Sequence, residues 1–187
     1  MLNTAAQKNK IVFIDRDGVI NVDLGGYVTR PEDFRFEKGA VEALQKFVRK
    51  GYRIIVISNQ AGIGDGVFTE EALKAVQQFM EHSLQKENVT IERAYYCLHG
   101  KQAGCLCRKP KTGLFEKAAE DFYFNPAETF FIGDKAGDIE AGKSFGLKTV
   151  LVRTGYGRED EKKLGASQKP DFIVDSLGDA ADLECFQ

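Results

Sequence analysis

Residues 11–21 read Ile-Val-Phe-Ile-Asp-Arg-Asp-Gly-Val-Ile-Asn. Four consecutive β-branched or aromatic apolar residues, Ile11 to Ile14, have the character of a buried strand. The run stops at Asp15 and Asp17, one residue apart, and Gly18 lets the backbone turn away. Two carboxylates this close repel each other unless a positive charge sits between them. A divalent cation is the simplest solution, and Mg²⁺ prefers hard carboxylate oxygens. The plain alternative for a bare D-x-D is a solvated, acidic turn. In α/β sheets, ligands gather at the carboxyl ends of the strands.

The rest of the chain repeats this grammar. Arg53–Ile57, Arg93–Cys97, Thr129–Ile132, Lys148–Val152 and Phe172–Val174 are further strand candidates. Between them lie segments of helical spacing. Gly39–Gly51 places Val41, Leu44, Phe47 and Val48 on one face, with Gly51 as the stop. Thr69 reads as an N-cap with Glu70 and Glu71 in the first turn, before a stripe of Leu73, Val76, Phe79, Met80 and Leu84. Gly113–Tyr123 carries Leu114, Phe115, Ala118, Ala119 and Phe122, and Ala136–Phe145 is closed by Gly146. Met1–Lys10 reads as a loose leader, Val22–Lys38 as a Gly-, Pro- and charge-rich loop, and Asp182–Gln187 as a weak tail. Strands alternating with helices predict an α/β fold with a mostly parallel central sheet flanked by helices. With 187 residues, no internal repeat and no long linker, one domain spanning 1–187 is expected.

Composition narrows the partners. The net charge is only −2, with 43% hydrophobic and 29% charged residues, which gives no general attraction to nucleic acid or membrane. No apolar stretch is long enough to span a bilayer, and residues 1–10 lack the apolar centre of a secretory signal. A cytoplasmic location is the default. In a reducing compartment, three of the four cysteines clustered at Cys97, Cys105 and Cys107 suggest metal rather than disulfide.

Chemistry collects where the apolar runs end. The first delivers Asp15 and Asp17, the second Ser58 and Asn59, the fourth Asp134, with Asp138 in the next turn; Arg108 and Lys109 follow the third. If the strands are parallel, all meet at one edge of the sheet. Three acids, a hydroxyl and two cations suit a metal-held phosphate. A carboxylate can attack phosphorus, and an acid two residues away can protonate the leaving oxygen and then activate water.

The set D-x-D-G-V-I-N, S-N-Q, R-K-P and G-D-K-x-x-D-I, in that order between Ile11 and about Arg158, resembles the haloacid dehalogenase superfamily of phosphohydrolases. The resemblance implies a Rossmann-like fold, with Asp15 as the nucleophile that forms an aspartyl-phosphate and Asp17 as general acid/base. It implies that Ser58 and Asn59 hold the transferring phosphoryl group and that Lys109 neutralises it. Asp134 would complete a Mg²⁺ site with Asp15 and the backbone carbonyl of Asp17. Asp138 is either a support for that site or a helix-capping acid, and Lys135 either a substrate contact or a surface lysine. No insertion large enough for a lid domain follows Asp17 or separates the second and third strands. A phosphomutase keeps the same acids, and a phospho-ligand-binding relative without turnover is the non-enzyme alternative.

Cys97-x-His99-x5-Cys105-x-Cys107 offers a Cys₃His set suited to tetrahedral, structural Zn²⁺ in a loop over 97–107. His82 and Cys185 have no partner in sequence and read as structural or surface residues. This loop, running into Arg108-Lys109-Pro110, narrows the resemblance to two related groups. One is the D-glycero-D-manno-heptose 1,7-bisphosphate 7-phosphatases and the other the histidinol-phosphate phosphatases. Asn21–Tyr27, Gly133–Lys135 and Thr154–Arg158 resemble the heptose group. Gly64-Asp65-Gly66 departs from its usual Ala-Arg-Gly, and Asp65 is expected to repel a second phosphate. Arg108, Lys101 or Lys111 could supply the missing cation. The favoured expectation is a monomeric sugar-bisphosphate phosphatase, with Arg108 and Lys135 among its substrate contacts; histidinol phosphate or another small phosphomonoester is the alternative.

Overall fold

The computed structural model describes residues 10–165 and 168–186. The expected leader before Lys10 and the terminal Gln187 lie outside these residues. Among the described residues six strands form one sheet: β1 (Ile11–Ile14), β2 (Arg53–Asn59), β3 (Ile91–Cys97), β4 (Phe130–Gly133), β5 (Lys148–Val152) and β6 (Phe172–Val174). Their order is β3-β2-β1-β4-β5-β6 and every pairing is parallel. The expected α/β architecture is therefore present.

The helices are α1 (Ala40–Arg49), α2 (Glu70–Lys86), α3 (Gly113–Asp121), α4 (Ala136–Phe145), α5 (Gly157–Asp160) and α6 (Leu177–Ala181). Successive strand residues point to opposite faces, so β1 feeds two cores. Val12 and Ile14 join Leu44, Phe47, Val76 and Met80 on one face. Ile11 and Phe13 join Leu114, Phe115 and Phe131 on the other. All of β1 is buried, which explains the unbroken apolar run. Thr69 caps α2 as expected, its side chain accepting from the Ala72 amide at 3.2 Å. Gly51 ends α1 with a positive φ of 79°.

The structure corrects some boundaries. Ser58 and Asn59 are the last residues of β2, because they pair with Tyr96 and Cys97 of β3. The helix expected over Gly113–Tyr123 stops at Asp121, where Phe122 turns extended, and Ala119 faces solvent. Phe79 is half-exposed and lies edge-on to Phe34. The largest correction concerns the tail. Phe186 is fully buried, with ring centroids 4.9 Å from Phe47, 5.4 Å from Tyr52 and 4.3 Å from Phe130. One aromatic after a five-residue helix carries no periodicity, so its burial leaves no trace in the local pattern.

The strand order reverses at β1. The chain steps outward through β2 and β3 on one side, then restarts beside β1 with β4. The crevice at this switch point opens between the carboxyl ends of β1 and β4, where ligands bind in open α/β sheets.

Candidate active site

At the end of β1 the Asp15 amide still donates to Ile132 O of β4 at 2.9 Å. The chain then closes a tight turn, with Arg16 O accepting from Ile20 N at 2.9 Å and Asn21 N at 3.0 Å. Val19, Ile20 and Asn21 are fully buried, so the solvated-turn alternative is overturned. Gly18 is required twice over. Its φ is +84°, and a Cβ there would lie 2.3 Å from Asp134 Oδ2. Gly155 presses on the same carboxylate from the loop after β5; its Cβ would be 2.2 Å away.

Lys109 reaches this edge from the loop after β3. Its buried ammonium lies 3.0 Å from Asp15 Oδ1 and 2.7 Å from Asp138 Oδ1, and donates to Ile57 O at 2.9 Å. Three acceptors for three N–H bonds satisfy an ammonium removed from water. Burial works against its charge, but Asp138 and Asp15 together raise its pKa above the ordinary lysine value. Asn59 holds the lysine backbone at both its N–H and its C=O. Its Oδ1 accepts from Lys109 N at 3.1 Å and its Nδ2 donates to Lys109 O at 3.1 Å. Asp138 both pairs with Lys109 and accepts from Lys135 N at 3.0 Å, capping α4. The helix-capping role expected for Asp138 is present, and the same carboxylate pairs with Lys109.

Asp134 follows β4 and is completely buried. Its Oδ2 accepts from Tyr156 N at 2.9 Å, while Oδ1 has no hydrogen-bond partner. Burial drives its pKa well above the ordinary carboxyl value, and drives that of Asp15 up against the charge of Lys109. One oxygen each of Asp15, Asp134 and Asp138 lies within 4.8 Å of the others. Against these three buried acids stand Lys109 and Lys135. The Lys135 ammonium is 3.0 Å from Asp23 and 3.7 Å from Asp134 and sits 4.7 Å from the Tyr156 ring centroid. A surplus of buried negative charge and an orphaned carboxylate oxygen suit a hard divalent cation.

Asp17 is held by a different set of partners. Its carboxylate accepts from Arg16 Nη2 at 2.9 and 3.0 Å, from Asn21 Nδ2 at 3.0 Å and from Gln60 Nε2 at 2.7 Å. Burial alone would raise its pKa; Arg16 and these donors bring it below the usual carboxylate range. Arg16 is itself fully buried, 6.0 Å from the centroid of the Tyr96 ring. Gln60 also donates to the buried Ser58 hydroxyl at 3.1 Å. Arg16 and Gln60 stand inside the motifs, yet nothing in their spacing points to this clamp. The one available signal is a lone arginine between two acids, directly after an apolar strand.

A cavity of about 370 Å³ opens above these groups. Asp15, Asp17, Ser58, Asn59, Lys109 and Lys135 all face it, while the predicted Asp134 does not line it and lies buried within 4.8 Å of Asp15 and Asp138. Asp23, Tyr27 and Tyr156 face it too and were not foreseen. Of the three candidate extra cations, Arg108 and Lys101 line this cavity, whereas the Lys111 ammonium donates to Gly104 O at 3.2 Å and Cys105 O at 2.8 Å. Asp65, expected to repel a second phosphate, is not among the residues that line this cavity. It accepts from the Lys101 amide at 3.1 Å.

Beside the cavity, four side chains of residues 97–107 converge. Cys97 Sγ lies 3.7 Å from Cys105 Sγ and 3.2 Å from Cys107 Sγ, and His99 Nδ1 lies 3.1 Å from Cys107 Sγ. One donor atom from each of the four fits within 4.8 Å. Tetrahedral zinc with bonds of about 2.3 Å to sulfur would set S···S edges of about 3.8 Å, so the donor set matches that ion in type, number and scale. Burial pushes the Cys97 thiol up to about 12, so a metal binding there would have to displace its proton.

A parallel sheet with a carboxylate nucleophile candidate, a buried lysine and an acidic pocket at its switch point defines a phosphatase of the haloacid dehalogenase type. A HAD-hydrolase-like family model matches residues 106–180. The D-glycero-beta-D-manno-heptose-1,7-bisphosphate 7-phosphatase of Haemophilus ducreyi is 39% identical over 91% of this chain and 95% of that protein. The phosphatase of the same name from Vibrio cholerae is 41% identical over 90% and 92%. A D,D-heptose 1,7-bisphosphate phosphatase from B. bronchiseptica, crystallised with magnesium and phosphate, superposes with a TM-score of 0.88 at 27% identity, covering 92% of this chain and 96% of that one. The chain belongs to this heptose-bisphosphate phosphatase family of HAD-like hydrolases.

Proposed function

We propose that the protein is a magnesium-dependent phosphomonoester hydrolase that removes the 7-phosphate of D-glycero-D-manno-heptose 1,7-bisphosphate. The observation that carries this reading is the meeting of Asp15, Asp134, Asp138 and Lys109 at the switch point of a chain whose relatives bear that phosphatase's name. An Asp15 oxygen attacks phosphorus, and the bond from phosphorus to the sugar oxygen breaks. Asp17 gives its proton to that oxygen. As a carboxylate it then takes a proton from the water that attacks the aspartyl-phosphate, freeing Asp15 and inorganic phosphate. The donors around Asp17 favour its ionised form, which the second half needs; the first half requires it to loosen its hold on Arg16 and Gln60. Lys109 and the Ser58 hydroxyl bind the phosphoryl oxygens. Asn59 contributes by fixing Lys109, and Arg108 and Lys135 contact the rest of the substrate.

Side-chain oxygens of Asp15 and Asp134 and the backbone carbonyl of Asp17 would hold Mg²⁺, with Asp138 anchoring Lys109 beside them. Bound there, the ion withdraws charge from the phosphoryl oxygens and offsets the repulsion between the acids. Cys97, His99, Cys105 and Cys107 would close around one structural Zn²⁺ and fix the loop that leads into Arg108. We further propose a monomer working as one domain, 1–187, in the cytoplasm, with a small phosphorylated metabolite and neither nucleic acid nor membrane as partner. Among the described residues, no helix is long and apolar enough to cross a membrane.

Side-by-side turnover of the heptose bisphosphate and histidinol phosphate, with Mg²⁺, tests the reading. The sugar bisphosphate is expected to give the higher kcat/KM, and Asp15→Asn to abolish phosphate release. A clear preference for histidinol phosphate would overturn the substrate assignment. Retained turnover in Asp15→Asn would overturn the nucleophile.

A further inference from the structure

The cations around the main cavity are not equally matched. Lys109 is paired by Asp15 and Asp138, and Lys135 by Asp23 and Asp134. Arg108 Nη1 is buried without a hydrogen-bond partner. Lys101 lines the same cavity, and its ammonium pairs with no acid among the described residues. A second hollow of about 190 Å³ adjoins the first and shares Lys101, Arg108 and Lys109 as its wall. The unmatched positive charge, on Lys101 and Arg108, therefore collects where the two hollows meet, on the side of the 97–107 loop. Two uncompensated cations in a concave site form a seat for a further anion.

Lys101 is also held in place from outside its own loop. Both oxygens of Asp65 approach its backbone amide, at 3.1 and 3.4 Å. The loop carrying Asp65 lies so close that a Cβ on Gly64 would be 2.1 Å from Gly100 N, and one on Gly100 would be 2.3 Å from Asp65 Oδ1. At Gly64 the obstacle is backbone, so only glycine fits there and the two backbones come into direct contact just before Lys101; a side chain at Gly100 would displace the Asp65 carboxylate. An acid in this loop thus serves an anion site without facing it. Its charge is spent on a backbone N–H, and the adjoining lysine lines the cavity.

We propose that Lys101 is the residue that selects substrates bearing a second, remote phosphate, and that Asp65 is the positioning residue that sets it there. The proposal rests on the bisphosphatase reading and names the group that reads the non-reacting phosphate. The test uses the metal-replete full chain with two probes, the heptose 1,7-bisphosphate and the same sugar carrying only the 7-phosphate. The readout is the ratio of their kcat/KM values. Without the charge-assisted hydrogen bond to the remote phosphate, Lys101→Ala is expected to lower this ratio about 10- to 100-fold. The effect is expected in KM for the bisphosphate, while Lys101→Arg keeps the ratio within about threefold of wild type. Asp65→Ala lowers the ratio less, by about 3- to 10-fold, and Asp65→Asn, which retains an acceptor for the Lys101 amide, restores it.

Lys101 is exposed, so its replacement leaves the core untouched, and zinc content and thermal unfolding confirm an intact loop. A wild-type preference for the bisphosphate that survives Lys101→Ala unchanged would overturn this inference and leave the bisphosphatase reading standing. Equal turnover of both probes by the wild type would likewise overturn the inference alone, whereas turnover of neither would overturn the bisphosphatase reading on which it rests.

Discussion

Replacing Lys109 by methionine isolates the electrostatics of the site. Methionine keeps an unbranched apolar stem against Phe131, whose ring centroid lies 5.1 Å from the ammonium, so packing is largely preserved. What disappears is a charge whose side chain is 3% exposed and whose partners, Asp15 and Asp138, are 6% and 3% exposed. Removing one member of a buried ion pair leaves the other uncompensated and typically costs about 3–5 kcal/mol. At about 2–4 °C per kcal/mol for a chain of this size, the melting temperature in magnesium-free buffer should fall by about 6–20 °C.

The effect has a definite pH sign. Burial already holds the Asp15 carboxyl above its ordinary value against the pull of Lys109, and removing that cation raises it further. A raised carboxyl pKa means the folded state binds more protons than the unfolded one. Stability then falls as pH rises from the unfolded value, about 4, toward the raised folded value. The deficit of Lys109→Met should therefore be smallest near pH ~4 and grow toward neutrality. Added Mg²⁺ should recover part of it by supplying positive charge to the same acids. Thermal unfolding followed by circular dichroism across pH, with and without Mg²⁺, measures all three effects. A melting temperature within about 2 °C of wild type near neutral pH without magnesium would refute the reasoning, because Lys109 could not then be the counter-charge the acids depend on.

Three further outcomes are expected. Gly155→Ala places a methyl within 2.2 Å of Asp134 Oδ2 at a φ of +51°, so Mg²⁺ affinity by titration calorimetry should drop at least about tenfold. Phe186→Ala should cost about 3–5 kcal/mol in denaturant unfolding, as for other fully buried phenylalanines, whereas a loose tail would cost nothing measurable. Cys107→Ser should abolish zinc binding in metal analysis; stoichiometric zinc in the variant would remove Cys107 from the ligand set.

Much of the architecture was legible because it is written in local pattern. Apolar runs of strand length, broken by polar residues and separated by amphipathic segments, dictate an alternating α/β chain. The parallel sheet then forces Asp15 and Asp134, far apart in sequence, to one edge. The cysteine set was legible because its four donors lie within one short loop. What the pattern could not carry were contacts decided by side-chain direction and by docking between distant segments. Asn59 grips the backbone of Lys109, 50 residues away, a pairing that depends on how the loop after β3 folds back. Arg16 and Gln60 clamp Asp17 because the turn after β1 is buried rather than solvated, which local sequence does not distinguish.

The order of amino acids was thus enough to set the fold class, the acids and lysine of the pocket and the four candidate zinc ligands, because periodicity, spacing and residue chemistry are local properties. Folding in three dimensions settled which cations remain unmatched, that Asp65 holds the Lys101 amide rather than lining the pocket, and that Phe186 completes the core. Each of these follows from long-range packing, where the free energy belongs to the surroundings of a residue rather than to its identity.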